Sequence, residues 1–229
     1  MNLCVIALLA APVLFASDET PRVRVIYLVP ADRSAREDYS MAIGQATRDI
    51  QSWYARQLGG RTFRLSSPIV EVVNSTQTAS WFAGHTNAKS EDEDRGDWAF
   101  NNAFEETARL VGGVQRGDGR FIWAIFADAP GELRGGLGVS TFSDNELRGL
   151  KKDRANWIGL VAHEMGHSFG LHHPLEMAKK WNAVMSYGCY GHLKAAYLTE
   201  DDKIDLRKSL FFIADNISPV RPTGRVPRR

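Results

Sequence analysis

The sequence predicts an α/β domain in which helices cover a twisted, mostly parallel β-sheet. Short apolar runs typical of strands alternate with longer segments of helical periodicity, and Gly or Pro residues separate them. Residues 22–30 (RVRVIYLVP) are apolar on both faces in their second half, as expected for a strand inside a sheet. With 229 residues, the chain is long enough to bury one large core.

The first half of the chain contains two strand regions and two helices. The pattern predicts a strand at 22–30, a helix at about 35–58, a second strand region at 63–73 interrupted by Pro68, a polar loop at 75–96 and a helix at 98–111. Glycine pairs at 59–60 and 112–113 end the two helices. The acidic cluster at 91–94 does not have EF-hand spacing and is expected to be solvated.

The second half begins with residues 120–128 (RFIWAIFAD), the most strand-like run of the chain. The pattern then predicts an exposed edge strand at 138–142, a helix that opens at Asp153, an irregular segment at 174–197 and a last helix from Thr199 to about 213. Thr199 and Asp202 have the spacing of a capping-box variant. An edge strand can bind an extended peptide by strand addition.

The two ends of the chain differ in composition from this domain. Residues 4–16 (CVIALLAAPVLFA) are too short for a membrane span and suit a signal-peptide core, so residues 1–16 are predicted to be a removed signal peptide of a secreted or periplasmic protein. A buried strand or a different start codon are the alternatives. Residues 17–217 are then a single domain, and residues 218–229 are a basic, Pro-rich, disordered tail.

Charge and cysteine content exclude some classes of protein. The net charge of +1 gives no global field for nucleic acid or an anionic membrane, and no further run is long enough for stable membrane insertion. If Cys4 leaves with the signal, Cys189 is the only remaining thiol, so an internal disulfide is excluded.

The chemistry is concentrated in residues 161–174 (VAHEMGHSFGLHHP). His163 and His167 are four residues apart, which on a helix places both imidazoles on one face, within reach of one metal ion. Two imidazoles and a third ligand suit zinc and leave a coordination position open. Glu164 follows the first ligand and is placed to take a proton from a metal-bound water.

The third ligand is expected just beyond the helix. Gly170 can adopt the left-handed conformation that ends a helix and turns the chain. The turn can bring His173 to the metal, and His172 is the adjacent alternative.

These residues together resemble the extended zinc motif of the metzincin metallopeptidases, H-E-x-x-H-x-x-G-x-x-H. The Met-containing turn of that clan is matched by NAVMSYG, in which Met185 would lie beneath the zinc histidines. The residues around His173 and in this turn are most similar to those of the serralysin group, and next to those of the astacins. The resemblance implies a zincin fold with an antiparallel edge strand, an active-site helix and a C-terminal helix. It also implies that Tyr187, two residues after Met185, approaches the metal and stabilises the transition state.

The sequence therefore predicts a zinc-dependent endopeptidase, a monomer that acts on a peptide or protein. Zinc would be held by His163, His167 and His173, and Glu164 and Tyr187 would be catalytic. Two alternatives stay open. One is a zinc hydrolase of a non-peptide amide. The other is a non-catalytic zinc-stabilised binding domain, which would need Cys189 or another group to close the coordination.

Overall fold

The computed structural model of the protein describes residues 20–85 and 95–214. The predicted signal peptide (1–16), the acidic cluster (91–94) and the predicted tail (218–229) lie outside the described residues. Among the described residues, no helix is long and apolar enough to cross a membrane.

Strands and helices alternate through the first two thirds of the chain. The strands are β1 (Arg22–Val29), β2 (Arg61–Thr62), β3 (Arg64–Asn74), β4 (Phe121–Ala127), β5 (Arg134–Gly136), β6 (Val139–Phe142) and β7 (Ile213–Ala214). The helices are α1 (Glu37–Gln57), α2 (Ala79–Gly84), α3 (Arg95–Val111), α4 (Asp144–Ser168) and α5 (Glu200–Lys208), with short 3-10 helices at Tyr187–Tyr190 and Leu193–Ala195.

The main sheet has five strands in the order β3-β1-β4-β6-β5. All neighbours are parallel except β5, which pairs antiparallel with β6 at the edge. Pairing of β1 with β3 jumps from Leu65 to Val70, so the segment containing Pro68 leaves the ladder, as its sequence predicts. A separate two-stranded ribbon joins β2 to β7. The mixed, mostly parallel α/β architecture is thus as predicted.

Helices cover both faces of the sheet, which explains the apolar composition of β1. Val25 and Tyr27 pack into a core that includes residues of α1 and α4, whereas Ile26 and Leu28 pack into a second core with residues of α2 and α3. All four side chains are fully buried. Burial on both faces favours continuous apolar runs over strict alternation.

The predicted edge strand is wrong in its position. Residues 138–142 correspond to β6, which lies inside the sheet, parallel to β4, and all four of its residues are buried. The edge strand is β5, which ends at Gly136, three residues before β6 begins at Val139 in the same hairpin. Both α3 and α4 contact β6, so its polar Ser140 and Thr141 are covered together with Val139 and Phe142.

The helix that carries the histidines begins earlier than predicted. It starts at Asp144, where Ser143 and Glu146 form a capping box, and it is sharply kinked at Asp153 (φ −151°, ψ 68°). A Cβ atom at Gly149 would lie 2.1 Å from the indole of Trp157. Two residues eight apart in a straight helix are about 12 Å apart along the axis, so the kink folds the two halves of α4 against each other. The predicted start at Asp153 is the start of the second half.

Two smaller differences concern short elements. The predicted polar loop contains α2, whose Phe82 is buried against α3. The last helix has the predicted capping box at Thr199 and Asp202 but ends at Lys208. Beyond it, Phe211 and Phe212 enter the core, which a continued helix on the surface would not achieve.

Candidate metal centre

Three histidines meet at the end of the second half of α4. His163 and His167 project from one face of the helix, and their Nε2 atoms are 3.1 Å apart. His173 approaches from the following turn, with its Nε2 atom 3.1 Å from that of His167 and 3.2 Å from that of His163. These are the only described His, Cys, Asp or Glu side chains that form a group able to hold a metal ion.

The turn that delivers His173 follows the prediction. Gly170 has φ 92°, and the backbone N–H groups of Gly170 and Leu171 donate to the carbonyls of His167 and Gly166, which closes the helix. His173 joins the group and His172 does not. Of the two adjacent histidines, His173 is therefore the one positioned to hold a metal ion together with His163 and His167.

The donor set fits a tetrahedral zinc ion. Zinc–nitrogen bonds of about 2.0–2.1 Å at tetrahedral angles put ligand nitrogens about 3.3 Å apart, close to the observed spacing. The Nδ1 atoms of His163 and His167 lie 2.7 and 2.8 Å from the carbonyl oxygens of Val184 and Leu171. A carbonyl only accepts, so each Nδ1 donates and each Nε2 keeps a free lone pair directed at its neighbours.

The rings are also held in the neutral form that metal binding requires. Burial lowers the pKa of His163 to about 4, and burial likewise lowers the pKa of His167. Both rings are therefore neutral at pH 7. Without a proton, converging lone pairs repel, and a cation between them removes that repulsion.

Met185 packs against the segment of α4 that carries the first two histidines. Its side chain is fully buried, and a Cβ atom at Gly166 would lie 2.5 Å from the Met185 sulfur. The absence of a side chain at Gly166 thus lets the thioether contact the helix between His163 and His167. Val184, the residue before Met185, supplies the carbonyl that orients His163.

Glu164 lies beside the three histidines, and its side chain is 12% exposed. One of its carboxylate oxygens is 4.0 Å from Nε2 of His163. Burial raises the pKa of Glu164 to about 7, although a hydrogen bond from the Gly135 backbone and the charge of Arg134 oppose that rise. A carboxyl group with a pKa near 7 can both accept and release a proton under neutral conditions.

A cleft of about 560 Å³ opens above this group. One wall is β5 with Arg134 and Gly135, and the opposite wall contains Tyr187 and Tyr190. The ring of Tyr187 is stacked on Trp181 at a centroid distance of 4.4 Å and is 40% exposed. The phenol of Tyr187 thus borders the cleft from the turn that follows Met185.

Sequence reasoning missed the residues that shape this cleft. Gly135 lies so close to α4 that a Cβ atom there would be 2.1 Å from the carbonyl oxygen of Glu164. Trp157 and Leu160 line the cleft from α4. The adjacent glycines at 135–136 were the available signal for a close backbone approach, whereas nothing in the sequence marks Trp157.

Comparison with known proteins gives a likeness of fold. Neither a protein-family model nor a curated protein sequence matches the chain. Wild-type OgpA from Akkermansia muciniphila matches with a TM-score of 0.57 at 17% identity over 84% of this chain and 62% of that chain. Catalytically inactive OgpA in complex with an O-glycopeptide (glycodrosocin) substrate matches with a TM-score of 0.56 at 15% identity over 80% of this chain and 59% of that chain.

Archaemetzincin from Methanopyrus kandleri is a weaker match, with a TM-score of 0.42 at 15% identity over 85% of this chain and 98% of that chain. That score is too low to support an argument. The chain spans 59–62% of the OgpA chains that it matches. At these identities, the finding that stands is that the chain shares its fold with that part of OgpA.

Proposed function

We propose that the protein is a zinc-dependent endopeptidase of the metzincin clan. One observation carries the proposal: three imidazole nitrogens converge within 3.2 Å, beside the largely buried carboxyl group of Glu164, in a cleft bordered by a strand edge. The zinc ligands are His163, His167 and His173. The HExxHxxGxxH motif and Met185 support placement in the clan.

A zinc ion in this site would act as a Lewis acid towards the scissile carbonyl and would lower the pKa of a nearby water molecule. Glu164 takes the proton from the attacking water and later delivers it to the leaving amine. The backbone of Gly135 lies beside Glu164 and favours the charged form of its carboxyl group. Tyr187 donates a hydrogen bond from its phenol to the oxyanion that forms on the attacked carbonyl.

A peptide chain is the substrate that the cleft suits best. Among the described residues, strand β5 pairs only with β6, so its other edge is available for an extended peptide. OgpA, which shares this fold, was crystallised with an O-glycopeptide. That complex supports a peptide as the substrate and is the reason to include glycosylated peptides among the substrates tested. No observation favours a non-peptide amide.

A closed structural zinc site is less well supported. Cys189 lies in the cleft wall, but its thiol donates to the carbonyl of Ser186 at 3.1 Å and it is not part of the metal-binding group. Burial raises the pKa of Cys189 to about 11, which disfavours the thiolate that zinc requires. An open coordination position is the arrangement of catalytic sites.

The test combines metal analysis with peptide cleavage. Purified protein should contain about one zinc per chain and cleave a mixed peptide library internally, and a chelator should abolish cleavage. The Glu164→Gln variant should keep zinc and lose activity, because it removes the proton acceptor but none of the ligands. Zinc without any cleavage would refute the peptidase, and absence of zinc would refute the metal centre.

The proposal includes an exported location, supported by the apolar run at 4–16. N-terminal sequencing of protein recovered outside the cytoplasm should start after residue 16. Cytoplasmic protein that retains residues 1–16 would contradict the exported location and would leave the proposed peptidase activity unaffected.

A further inference from the structure

Three depressions adjoin one another along the surface that begins at the catalytic cleft. The cleft shares Tyr187 and Tyr190 with a second depression of about 450 Å³. The second shares His192 with a third of about 620 Å³, which lies between α1, the second half of α4 and the 3-10 helix at Leu193–Ala195. The catalytic centre is therefore connected to the third depression by continuous walls.

The third depression is strongly cationic. Arg56, Arg154 and Lys194 line it together with a single carboxylate, that of Asp49. Asp49 pairs with Arg154, with 3.1 Å between its oxygen and the guanidinium Nε. Arg56 and Lys194 have no ion pair or side-chain hydrogen bond with any described residue. Two positive charges are thus left uncompensated within one concavity.

The floor beneath these charges is apolar. Trp53, Ile158 and Leu193 line the depression and are each at least nine-tenths buried. Charges at the rim of a low-dielectric wall attract an anion more strongly than charges that are surrounded by water. The chemistry of the depression therefore suits a carboxylate on a short aliphatic stem.

Helix α4 fixes the distance from this depression to the metal centre. Arg154 and His163 belong to the same half of α4 and are nine residues apart, which is about 13 Å along the axis. An extended peptide covers about 3.3 Å per residue, so roughly four residues span that distance. The second depression lies between them and presents the exposed rings of Trp181, Tyr187 and Tyr190, which can pack against intervening side chains.

We propose that the row of depressions is an exosite that binds an acidic side chain of the peptide substrate, about four to six residues from the scissile bond, in the pocket formed by Arg56, Arg154 and Lys194. This inference rests on the proposed peptidase function. It narrows the substrate class to peptides with Asp or Glu at a fixed distance from the cleaved bond.

Kinetics on matched peptides test the exosite. Two series of peptides share one parent sequence. Each peptide carries a single Glu-Glu pair in the first series or a single Gln-Gln pair in the second, and the pair is moved position by position along both sides of the cleavage site. Glu-Glu should lower KM about tenfold within a narrow band of positions on one side, with kcat unchanged, because the exosite binds ground state and transition state alike. The Arg56→Gln/Lys194→Gln variant should lose that preference.

A charge-matched control separates the pocket from the net charge. Arg61 and Lys208 are exposed cations that do not line any of the three depressions, and the Arg61→Gln/Lys208→Gln variant removes the same charge. This control should keep the Glu-Glu preference. Equal KM values for both peptide series, or a preference that survives in Arg56→Gln/Lys194→Gln, would overturn the exosite.

Binding distinguishes failure of the exosite from failure of the proposed function. Fluorescein-labelled Glu-Glu peptide is titrated into Glu164→Gln protein and followed by anisotropy, with the Arg56 and Lys194 substitutions added in a second protein. Tighter binding of Glu-Glu than Gln-Gln that depends on those cations supports the exosite even if no peptide is cleaved. Cleavage without any charge-dependent binding refutes the exosite and leaves the peptidase standing.

Discussion

Substitution of Gly135 by Ala tests whether the edge strand must touch the active-site helix. The new Cβ atom would lie 2.1 Å from the carbonyl oxygen of Glu164, and real Cβ contacts essentially never fall below 3.0 Å, so β5 must move by about 0.9 Å. All three of the nearest atoms belong to the Glu164 backbone within α4, which cannot yield as a flexible side chain would. The movement displaces both the proposed peptide-binding edge and the Gly135 backbone beside Glu164.

The expected cost falls mainly on activity. Misplacing a substrate-positioning group by about 1 Å lowers rates about 100-fold, which equals about 2.7 kcal/mol of transition-state stabilisation. Overpacking costs about 1–3 kcal/mol of unfolding free energy, or roughly 2–10 °C in Tm. Zinc content should be unchanged because Gly135 orients none of the three ligands.

Peptide cleavage, zinc analysis and thermal unfolding of the same preparation check this prediction. Gly119→Ala is the matched control, since a Cβ atom there meets nothing within 4 Å. Wild-type kcat/KM in Gly135→Ala would refute the view that contact between β5 and α4 positions the substrate.

Three further predictions follow from contacts in the described structure. Gly166→Ala places a methyl group against the Met185 sulfur and should lower the free energy of unfolding in urea by about 1–3 kcal/mol, more than the ~1 kcal/mol gained in helix propensity. The double variant with Met185→Ala should lose less unfolding free energy than the two single variants added together, and additive losses would contradict the contact. Tyr187→Phe should lower kcat about 100-fold at similar KM, and unchanged kcat would exclude the phenol as oxyanion donor. Burial alone would raise the pKa of Glu106, but hydrogen bonds from Arg109 and a neighbouring serine lower it overall. Its stabilisation is therefore present above about pH 4.5 and lost as pH falls through the folded pKa, so Glu106→Gln should flatten the loss of unfolding free energy between pH 5 and 3.

The grouping of the three histidines in the candidate metal site could be predicted because its determinants are local in sequence. A spacing of four residues puts His163 and His167 on one helix face whatever surrounds the helix, and Gly170 ends that helix by its own conformational freedom. Burial of Glu164 depends instead on where β5 lies, and no local pattern shows that.

The edge strand was misplaced because residues 138–142 lie in a Gly-rich stretch and include the polar Ser140 and Thr141. Helices α3 and α4 cover β6, and all four of its residues are buried, a tertiary effect that overrides the local pattern. The true edge, β5, contains two glycines, which have low strand propensity, and Gly135 is required where the backbone contacts α4.

The early start of α4 did have a local signal. Ser143 and Glu146 have the S-x-x-E spacing of a capping box, and their hydrogen bonds are formed in the structure. The fold at Asp153 that follows depends on the Trp157 indole lying against Gly149, a contact that periodicity within a single helix cannot predict.

The two acceptors that orient His163 and His167 are main-chain carbonyls, those of Val184 and Leu171. In a site oriented by carboxylate side chains, point mutation of either acceptor would free a ring to rotate or change tautomer. Here the acceptor persists through any substitution that preserves the backbone path, so positions 171 and 184 are free to vary among residues of similar volume. Ligand orientation is therefore encoded by the shape of two turns, and it can survive sequence divergence that erases recognisable similarity outside the ligands themselves.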